Sequence, residues 1–189
     1  MKLASFDAIV RALNDAGVRY LVVGGLAVNA HGYLRFTKDV DLVVRLATPD
    51  ILGAFRALGA LGYRAKVPVT AEQFANPAQR EAWRSRLESK GPSLAPSSVG
   101  AGEARCGPVG PQRKMWSDAH LETPIDIFVY EPFDFDAEYA RALVGTDPGD
   151  PPARFASIPA LIAMKQAAGR ASDLIDIEKL REIERLKNA

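Results

Sequence analysis

The apolar positions of this chain follow a helical period in some segments and form short continuous runs in others. The first helical pattern covers residues 5–16 and ends at Gly17. Short apolar or β-branched runs bounded by glycine, proline or aspartate indicate strands. The chain therefore predicts an α+β protein. In order, its expected elements are a helix over 5–16, a strand over 19–23, a helix over 26–31, a strand over 39–44, a helix over 48–61, a strand over 63–69, a helix over 71–85, a strand over 124–130 and helices over 157–168 and 172–187.

This pattern is lost over residues 86–114, which are rich in glycine, proline and serine. A structureless insert of this length is uncommon in a compact domain. It is open to three interpretations: a mobile surface loop, a functional lid, or a frame-shifted remnant of an ordinary strand. A second stretch, residues 145–153, is interpreted as a Pro/Gly/Asp-rich linker. The predicted organisation is then a core over residues 1–144 and a C-terminal helical region over 145–189 that packs on it.

Composition narrows the class of protein. The chain has 189 residues, enough for one domain with a core of its own. The 24 lysines and arginines nearly balance the 23 aspartates and glutamates, which excludes a strongly basic nucleic-acid-binding protein but leaves room for a local basic groove. Cys106 is the single cysteine, so a disulfide framework and a cysteine-based zinc site are excluded. With no signal-peptide pattern and no apolar run of about 20 residues, the expected location is the cytoplasm.

Three aspartates are the first candidates for chemistry. Asp39 and Asp41 stand two residues apart, and such positions on a strand point to the same face. Asp126 lies in a later apolar strand and would join them if the two strands are neighbours. Close carboxylates raise one another's pKa, and two metal ions held by such a triad would activate an attacking hydroxyl and stabilise a leaving pyrophosphate. The alternative is that the Asp-x-Asp pair is solvated polar surface.

Four residues near the acids are candidates for binding a phosphate. Gly24 and Gly25 follow the first strand, where glycine lets the backbone turn tightly and approach a phosphate at the start of the next helix. An ordinary strand-to-helix turn would carry the same residues. Arg35 offers a planar fork of donors that suits a phosphate. Thr37 either belongs to the site or orders the loop by hydrogen bonding its backbone.

Lys165 lies on an otherwise apolar helical segment. Its ammonium either reaches solvent along its stem or points into a cleft as a point charge for a triphosphate. Asp173 would orient Lys165 or cap a helix, whereas Asp176 is interpreted as surface. His31 is expected to pack or cap the end of the short second helix, and it is given no role as a base.

Together these pieces resemble the nucleotidyltransferase superfamily of the DNA polymerase β type. The shared features are the Gly24-Gly25 pair, the run from Arg35 through Thr37 and Asp39 to Asp41, and the later Asp126. Within that superfamily the chain is similar to the bacterial AbiEii/MenT-like group. In that group Gly-Gly-x-Ala-x-x-x-His-Gly, Arg-x-Thr-x-Asp-x-Asp-Leu and a helix carrying Lys and then Arg-x-x-Asp occur in this order. The resemblance covers residues 5–67 and 116–185.

The resemblance implies a fold, an activity and a set of site residues. The fold would be a mixed β-sheet flanked by helices. The activity would be transfer of a nucleoside monophosphate from an NTP to an acceptor hydroxyl, with release of pyrophosphate. Mg²⁺ or Mn²⁺ would be bound by Asp39, Asp41 and Asp126, and Asp126 would also position or deprotonate the acceptor. The nucleotide would be held by Gly24, Gly25, Arg35, Thr37, Lys165 and Asp173.

The resemblance leaves the biological role open. The acceptor would be an RNA or tRNA end, a protein or a small molecule. The chain would be the toxin-like component of a toxin–antitoxin or phage-defence pair, with an antitoxin-like protein partner and no membrane association. The group is expected to have a strand hairpin before Asp126, where this chain has the segment 86–114. The intact acids favour an active enzyme, and that segment favours the alternative, a catalytically degenerate module that binds a nucleotide or a partner.

Overall fold

Helices and strands alternate from α1 to β3 and then occur in mixed order along the described part of the chain. The computed structural model describes residues 1–88, 112–145 and 151–187. The helices are α1 (Leu3–Asp15), α2 (Gly24–Ala30), α3 (Thr48–Ala60), α4 (Ala71–Ala75), α5 (Pro77–Glu88), α6 (Phe135–Arg141), α7 (Ile158–Ala168) and α8 (Ala171–Lys187). The strands are β1 (Tyr20–Val23), β2 (Val40–Val44), β3 (Arg64–Ala65), β4 (Gln112–Trp116), β5 (Ile125–Phe128), β6 (Leu143–Gly145) and β7 (Ala153–Phe155).

The strands form one mixed sheet in the order β3-β4-β5-β2-β1-β7-β6. β1 pairs antiparallel with β2 and parallel with β7, and β2 pairs parallel with β5. The outer pairs, β3 with β4, β4 with β5, and β6 with β7, are antiparallel. The expected α+β class, with a mixed sheet flanked by helices, is therefore confirmed.

The centre of the sheet is β1 and β2. All four residues of β1 are buried, and so are the apolar residues of β2. Strands covered on both faces are continuous apolar runs in sequence, and β1 follows this rule. α1 adds Ile9, Val10 and Leu13 to the same core and is followed by Gly17, whose left-handed φ of 65° turns the chain toward β1. Asp41, the one polar residue of β2, is thus held on a central strand of the sheet among buried apolar residues.

The C-terminal part of the chain belongs to the sheet as well as packing on it. β7 lies between β1 and β6, with Phe155 opposite Val22. The interpretation of residues 145–153 as a linker is wrong at both ends, because Gly145 ends β6 and Ala153 begins β7. Residues 146–150 lie outside the described residues. A three-residue strand has no periodic signal, and its pairing partner is distant in sequence.

β4 lies where the sequence analysis expects no regular structure. It pairs with both β3 and β5, so residues 112–114 do not belong to an unpatterned insert over 86–114. At the other end, α5 continues to Glu88, and residues 89–111 lie outside the described part. Because β4 is present, the sheet does not lack a strand next to β5.

The region between β3 and β4 also differs from the expected elements. The strand over 63–69 is limited to the two residues of β3, and the helix over 71–85 is divided into α4 and α5. The division falls at Asn76, which has an extended backbone and caps α5 by accepting a hydrogen bond from the Ala78 amide at 2.9 Å. Asparagine favours such caps because its side chain competes for backbone donors.

The helices of the described residues are modest in length. The longest, α8, has 17 residues and carries charged side chains along most of its length. Across residues 1–88, 112–145 and 151–187, no helix combines the length and the apolar character needed to cross a membrane.

Candidate active site

The three aspartates lie on neighbouring strands. β2 and β5 pair in parallel with Asp41 directly opposite Asp126. Side chains of directly paired residues point to the same face of a sheet, so these two carboxylates are side by side. Asp39 immediately precedes β2, and it lines the same cavity as Asp41 and Asp126. The condition on which the sequence prediction depended, that the two strands are neighbours, is met.

Gly24 provides the space for the Asp41 carboxylate. It begins α2 with a left-handed φ of 63°, which glycine adopts without strain. A Cβ at this position would lie 2.0 Å from Asp41 Oδ2 and 2.7 Å from Asp41 Cγ. Real atoms do not approach so closely, so any side chain at position 24 would displace Asp41. Glycine is required here by the neighbouring acid, whether or not a phosphate is bound.

Gly25 faces the loop that carries Arg35 and Thr37. A Cβ on Gly25 would lie 2.9 Å from Arg35 Nη2 and 2.9 Å from Thr37 Oγ1. The loop is anchored by Asn29, whose side chain accepts from the Arg35 amide and donates to the Arg35 carbonyl, both at 2.9 Å. Thr37 Oγ1 donates to the Asp39 carbonyl at 3.4 Å, so it orders the loop as well as lining the cavity. The sequence analysis missed Asn29, because one polar residue in a short helix has no distinctive spacing.

A single cavity brings together the nine residues named from the sequence. Its volume is about 430 Å³, within the size of ordinary small-ligand sites. Its lining includes Gly24, Gly25, Arg35, Thr37, Asp39, Asp41, Asp126, Lys165 and Asp173. The sheet supplies the three acids, whereas α7 and the start of α8 supply Lys165 and Asp173. Four segments that are far apart in sequence therefore meet at one place.

The carboxylates disfavour one another's charged forms. Burial, together with the charges of Asp39 and Asp126, raises the pKa of Asp41 to about 7. Burial also raises the pKa of Asp126, and the Lys114 ammonium partly offsets that rise. Asp126 Oδ1 is buried and has no hydrogen-bond partner. An unpaired buried oxygen is costly, so this group of acids is built to receive a cation or a hydrogen-bond donor.

Two residues of β4 complete the surroundings of the acids. Gln112 Nε2 donates to Asp41 Oδ1 at 2.9 Å. Lys114 Nζ lies 3.2 Å from Asp126 Oδ2 and 3.8 Å from Asp39 Oδ2. The sequence analysis missed both residues because they fall in the 86–114 stretch. The signal that could identify them is the alternation Gln-Arg-Lys-Met-Trp, in which successive side chains point to opposite faces of a strand.

Lys165 is enclosed by acidic side chains. Its side chain is 8% exposed, and its ammonium pairs with Asp173 Oδ1 at 3.3 Å and Asp176 Oδ2 at 2.5 Å. Arg35 Nε lies 3.3 Å from the same Asp176 oxygen, which links the loop to α8. The alternative in which Lys165 reaches solvent is therefore wrong. The interpretation of Asp176 as surface is also wrong, because α8 packs its side chain, 4% exposed, against Lys165.

Asp173 has both of the structural roles considered for it. Its Oδ2 accepts a hydrogen bond from the Arg170 amide at 3.2 Å at the start of α8, while its Oδ1 pairs with Lys165. A left-handed Gly169 ends α7 and turns the chain directly into α8. Because residues three apart share a helix face, this turn presents Asp173 and Asp176 together to Lys165.

His31 packs at the end of α2, as expected. It is buried, its Nε2 lies 2.8 Å from the Ala156 carbonyl oxygen, and burial lowers its pKa. Ala156 follows β7, so the contact joins α2 to the C-terminal part of the sheet. His31 is not one of the described residues that line the cavity, in agreement with the absence of a predicted role as base.

The acids fit a divalent cation as an open site. Among the described residues, no three His, Cys, Asp or Glu side chains are grouped so that they could hold a metal ion by themselves. Mg²⁺ commonly binds through one or two carboxylates and completes its shell with substrate phosphates and water. Asp39 and Asp41 offer such a pair beside a cavity large enough for a nucleotide phosphate chain. The larger set that includes Asp126 as a metal ligand stays a prediction.

The arrangement of helices and strands has a distant counterpart among solved structures. The chain is similar to the solution structure of the antibiotic-resistance factor ANT(2'')-Ia, with a TM-score of 0.47 and 14% sequence identity. The match covers 97% of this chain and 90% of that chain. Neither a scan against protein-family models nor a search of curated proteins gave a match. Function is therefore argued from the geometry of the site.

Proposed function

We propose that this protein transfers a nucleoside monophosphate from an NTP to an acceptor hydroxyl and releases pyrophosphate. One observation carries the proposal: a single cavity is lined by the three carboxylates Asp39, Asp41 and Asp126 and by the cations Lys165 and Arg35. Phosphate chains bind where cations and a carboxylate-held metal can share their charge. Each residue named from the sequence contributes to that cavity, although no spacing rule required them to meet.

The acidic side chains would bind the metal ion, and the cationic side chains would bind the phosphates. Asp39 and Asp41 would hold Mg²⁺ or Mn²⁺, which when bound supplies positive charge to the phosphates. Lys165 and Arg35 line the cavity and would bind the phosphates directly, with Asp173 and Asp176 fixing their positions. Gly24 and Gly25 keep side chains away from this end of the cavity. Most of the rate enhancement would come from positioning and charge neutralisation.

Asp126 is the residue suited to the acceptor. Its carboxylate lines the cavity and would accept the proton of the acceptor hydroxyl as the hydroxyl oxygen forms a bond to the α-phosphorus. The bond between the α-phosphorus and the bridging oxygen to the β-phosphate breaks at the same time, and pyrophosphate leaves with that oxygen. Burial raises the pKa of Asp126, which makes it a better proton acceptor than an exposed aspartate.

The proposal extends to an RNA or tRNA end or a protein as acceptor, and to a toxin-like role with an antitoxin-like partner. Its support is the order of sequence motifs described above. A screen of each α-labelled NTP against total RNA and against a cell lysate, with Mg²⁺ and then Mn²⁺, identifies both the nucleotide and the class of acceptor. Label recovered in RNA, in protein or in small molecules distinguishes the three acceptor classes.

Substitution of Asp41 tests the mechanism. We expect Asp41→Ala to lower transfer by at least about 100-fold, because the residue would bind the metal and nothing nearby replaces it. The variant should fold normally, since the substitution removes a charge that burial disfavours. The measurement is label transfer together with the thermal unfolding midpoint.

Asp118→Ala is the matched control for Asp41→Ala. Asp118 is 68% exposed, follows β4, and pairs with Arg64 at the surface. Its replacement should leave transfer unchanged. Full activity in Asp41→Ala would refute the mechanism. A parent protein that binds NTP with Mg²⁺ in a calorimetric titration, but transfers nothing in any fraction of the screen, would favour the nucleotide-binding module instead.

A further inference from the structure

Lys114 lies between two of the three acids. Its Nζ is 3.2 Å from Asp126 Oδ2 and 3.8 Å from Asp39 Oδ2, so one ammonium bridges β5 and the residue that precedes β2. The contact follows from strand register, because Lys114 is directly opposite Asp126, and Asp126 is directly opposite Asp41. The three side chains form one row across β4, β5 and β2, all on the same face of the sheet.

Lys114 reaches this row from β4, the strand next to β5. Its side chain is 43% exposed, and Lys114 is not among the described residues that line the cavity, whereas its strand neighbour Gln112 is. Lys114 therefore contacts the acids without entering the space available to a substrate. Such a residue acts on the reaction through Asp126 and Asp39 and is a positioning residue.

The Lys114 contact makes the two carboxylate oxygens of Asp126 unequal. Lys114 occupies Oδ2, and Oδ1 is left buried and unpaired. A metal ion bound by Asp126 on the Lys114 side would have to displace the ammonium, because Mg²⁺ binds its oxygen ligands at about 2.0–2.1 Å and needs that space. The Asp126 carboxylate also lines the cavity, where an acceptor hydroxyl would approach it.

The charges of these side chains also favour a single metal ion at this site. Asp39, Asp41 and Asp126 carry three formal negative charges, and Lys114 carries one positive charge. A single divalent cation brings this set to neutrality. A second one would make the set positive and would also meet the ammonium at close range. If Lys114 turned toward solvent to avoid this repulsion, it would give up its contacts with both Asp126 and Asp39.

We infer that Lys114 takes the place of a second metal ion, so that this site binds one divalent cation, through Asp39 and Asp41. The inference deepens the proposed function and rests on it. It departs from the expectation that two metal ions occupy the triad. Lys114 holds Asp126 in place for the acceptor and keeps it out of the metal coordination shell.

The number of bound Mn²⁺ ions tests the inference. Mn²⁺ is titrated into the full-length protein in the presence of an NTP analogue whose α,β-bridging oxygen is replaced by methylene, which blocks transfer. Free and bound Mn²⁺ are counted by electron paramagnetic resonance. We expect the complex of the parent protein with the analogue to hold one Mn²⁺ in total, shared by the acids and the phosphates. Lys114→Met should bind two, and Lys114→Arg, which keeps the charge, should bind one.

Lys66→Met is the matched control. Lys66 follows β3, is exposed, and contacts Lys114 only through the backbone, where its amide donates to the Lys114 carbonyl at 2.9 Å. Lys66→Met removes one positive charge just after β3, the strand that pairs with β4. It should leave the number of bound Mn²⁺ at one. Unchanged thermal midpoints in the variants show that they are folded, which the exposure of Lys114 leads us to expect.

Two results would overturn the inference while leaving the proposed function intact: two Mn²⁺ in the parent protein, or one in Lys114→Met. A parent protein that binds neither Mn²⁺ nor the analogue would overturn the proposed function, and the inference with it.

Discussion

Gly24 and Gly17 illustrate two different reasons why a position requires glycine. Both have a left-handed backbone, with φ of 63° and 65°. A Cβ on Gly24 would overlap Asp41 Oδ2 at 2.0 Å, whereas a Cβ on Gly17 would have nothing within 4 Å. A side chain at Gly17 therefore meets only the backbone cost, and a side chain at Gly24 meets that cost and a collision with the acid.

We expect Gly24→Ala to be far more damaging than Gly17→Ala. The left-handed conformation should cost each variant about 1–2 kcal/mol of unfolding free energy. Gly24→Ala should lose about 1–3 kcal/mol more because atoms are forced together, and it should lose transfer activity because Asp41 moves. Urea unfolding and label transfer measure the two effects. Equal losses in the two variants would mean that the Asp41 carboxylate adapts without consequence.

The residues that could be predicted from sequence are those whose neighbours in the chain define them. Asp39, Asp41 and Gly24 follow from a strand pattern and a turn within one short segment. Lys114 could not be predicted, because its role depends on the register of β4 against β5. Asp176 could not be predicted either, since three-residue spacing from Asp173 does not indicate which helix face is buried.

At the scale of elements, α7 and α8 form a hairpin held by buried charges. Ser157 caps α7 by accepting a hydrogen bond from the Ala160 amide at 3.4 Å, and the left-handed Gly169 ends it. This hairpin places Lys165 against Asp173 and Asp176, which have little access to water. The helices and the cap could be predicted from period and composition. The contact between them depends on the geometry of the turn and could not.

Removing the ammonium should destabilise this hairpin. Lys165→Met leaves two buried carboxylates, with Arg35 at 3.3 Å from Asp176 and the largely exposed Arg170 at 3.9 Å from Asp173 as their remaining cations among the described residues. Loss of one partner from a buried pair typically costs about 3–5 kcal/mol, and we expect a loss of this size in chemical denaturation.

Two further variants test whether an unpaired buried charge causes the loss of stability in Lys165→Met. Lys165→Met combined with Asp173→Asn and Asp176→Asn should recover much of the stability, because no buried carboxylate is left without its ammonium. Lys179→Met removes a lysine of α8 that is 44% exposed and pairs with Glu182 at the surface, so it should scarcely change the denaturation midpoint. A similar loss in Lys179→Met and Lys165→Met would show that burial of the charge is not the cause.

The stability of the whole molecule should depend on pH through Asp41. Its pKa is about 7 in the folded protein and 3.8 in an exposed aspartate. Between these values the folded protein holds a proton that the unfolded chain releases. The contribution of Asp41 is therefore most favourable below the lower pKa and is lost as the pH rises through the higher one.

Asp41→Asn removes this dependence, since asparagine does not titrate. In the presence of a chelator, we expect its thermal midpoint to exceed that of the parent by an amount that grows from about pH 4 to about pH 7 and is constant above. The thermal midpoint of Asp118→Asn, a variant at an exposed position, should change with pH in parallel with that of the parent protein. Parallel curves for Asp41→Asn would show that Asp41 is ionised as easily in the folded protein as in the unfolded chain.

The position of β7 has a consequence for how the protein is made on the ribosome. β1 leaves the ribosome early, but its second neighbour, β7, is synthesised after β2 to β6. At bacterial or eukaryotic rates of about 5–20 residues per second, the open edge of β1 persists for several seconds, long enough for a chaperone to bind it. Lys165 follows β7, so a nascent chain carries the three acids before it carries this lysine, which would bind the phosphates. Nucleotide binding should therefore begin only after translation has passed α8.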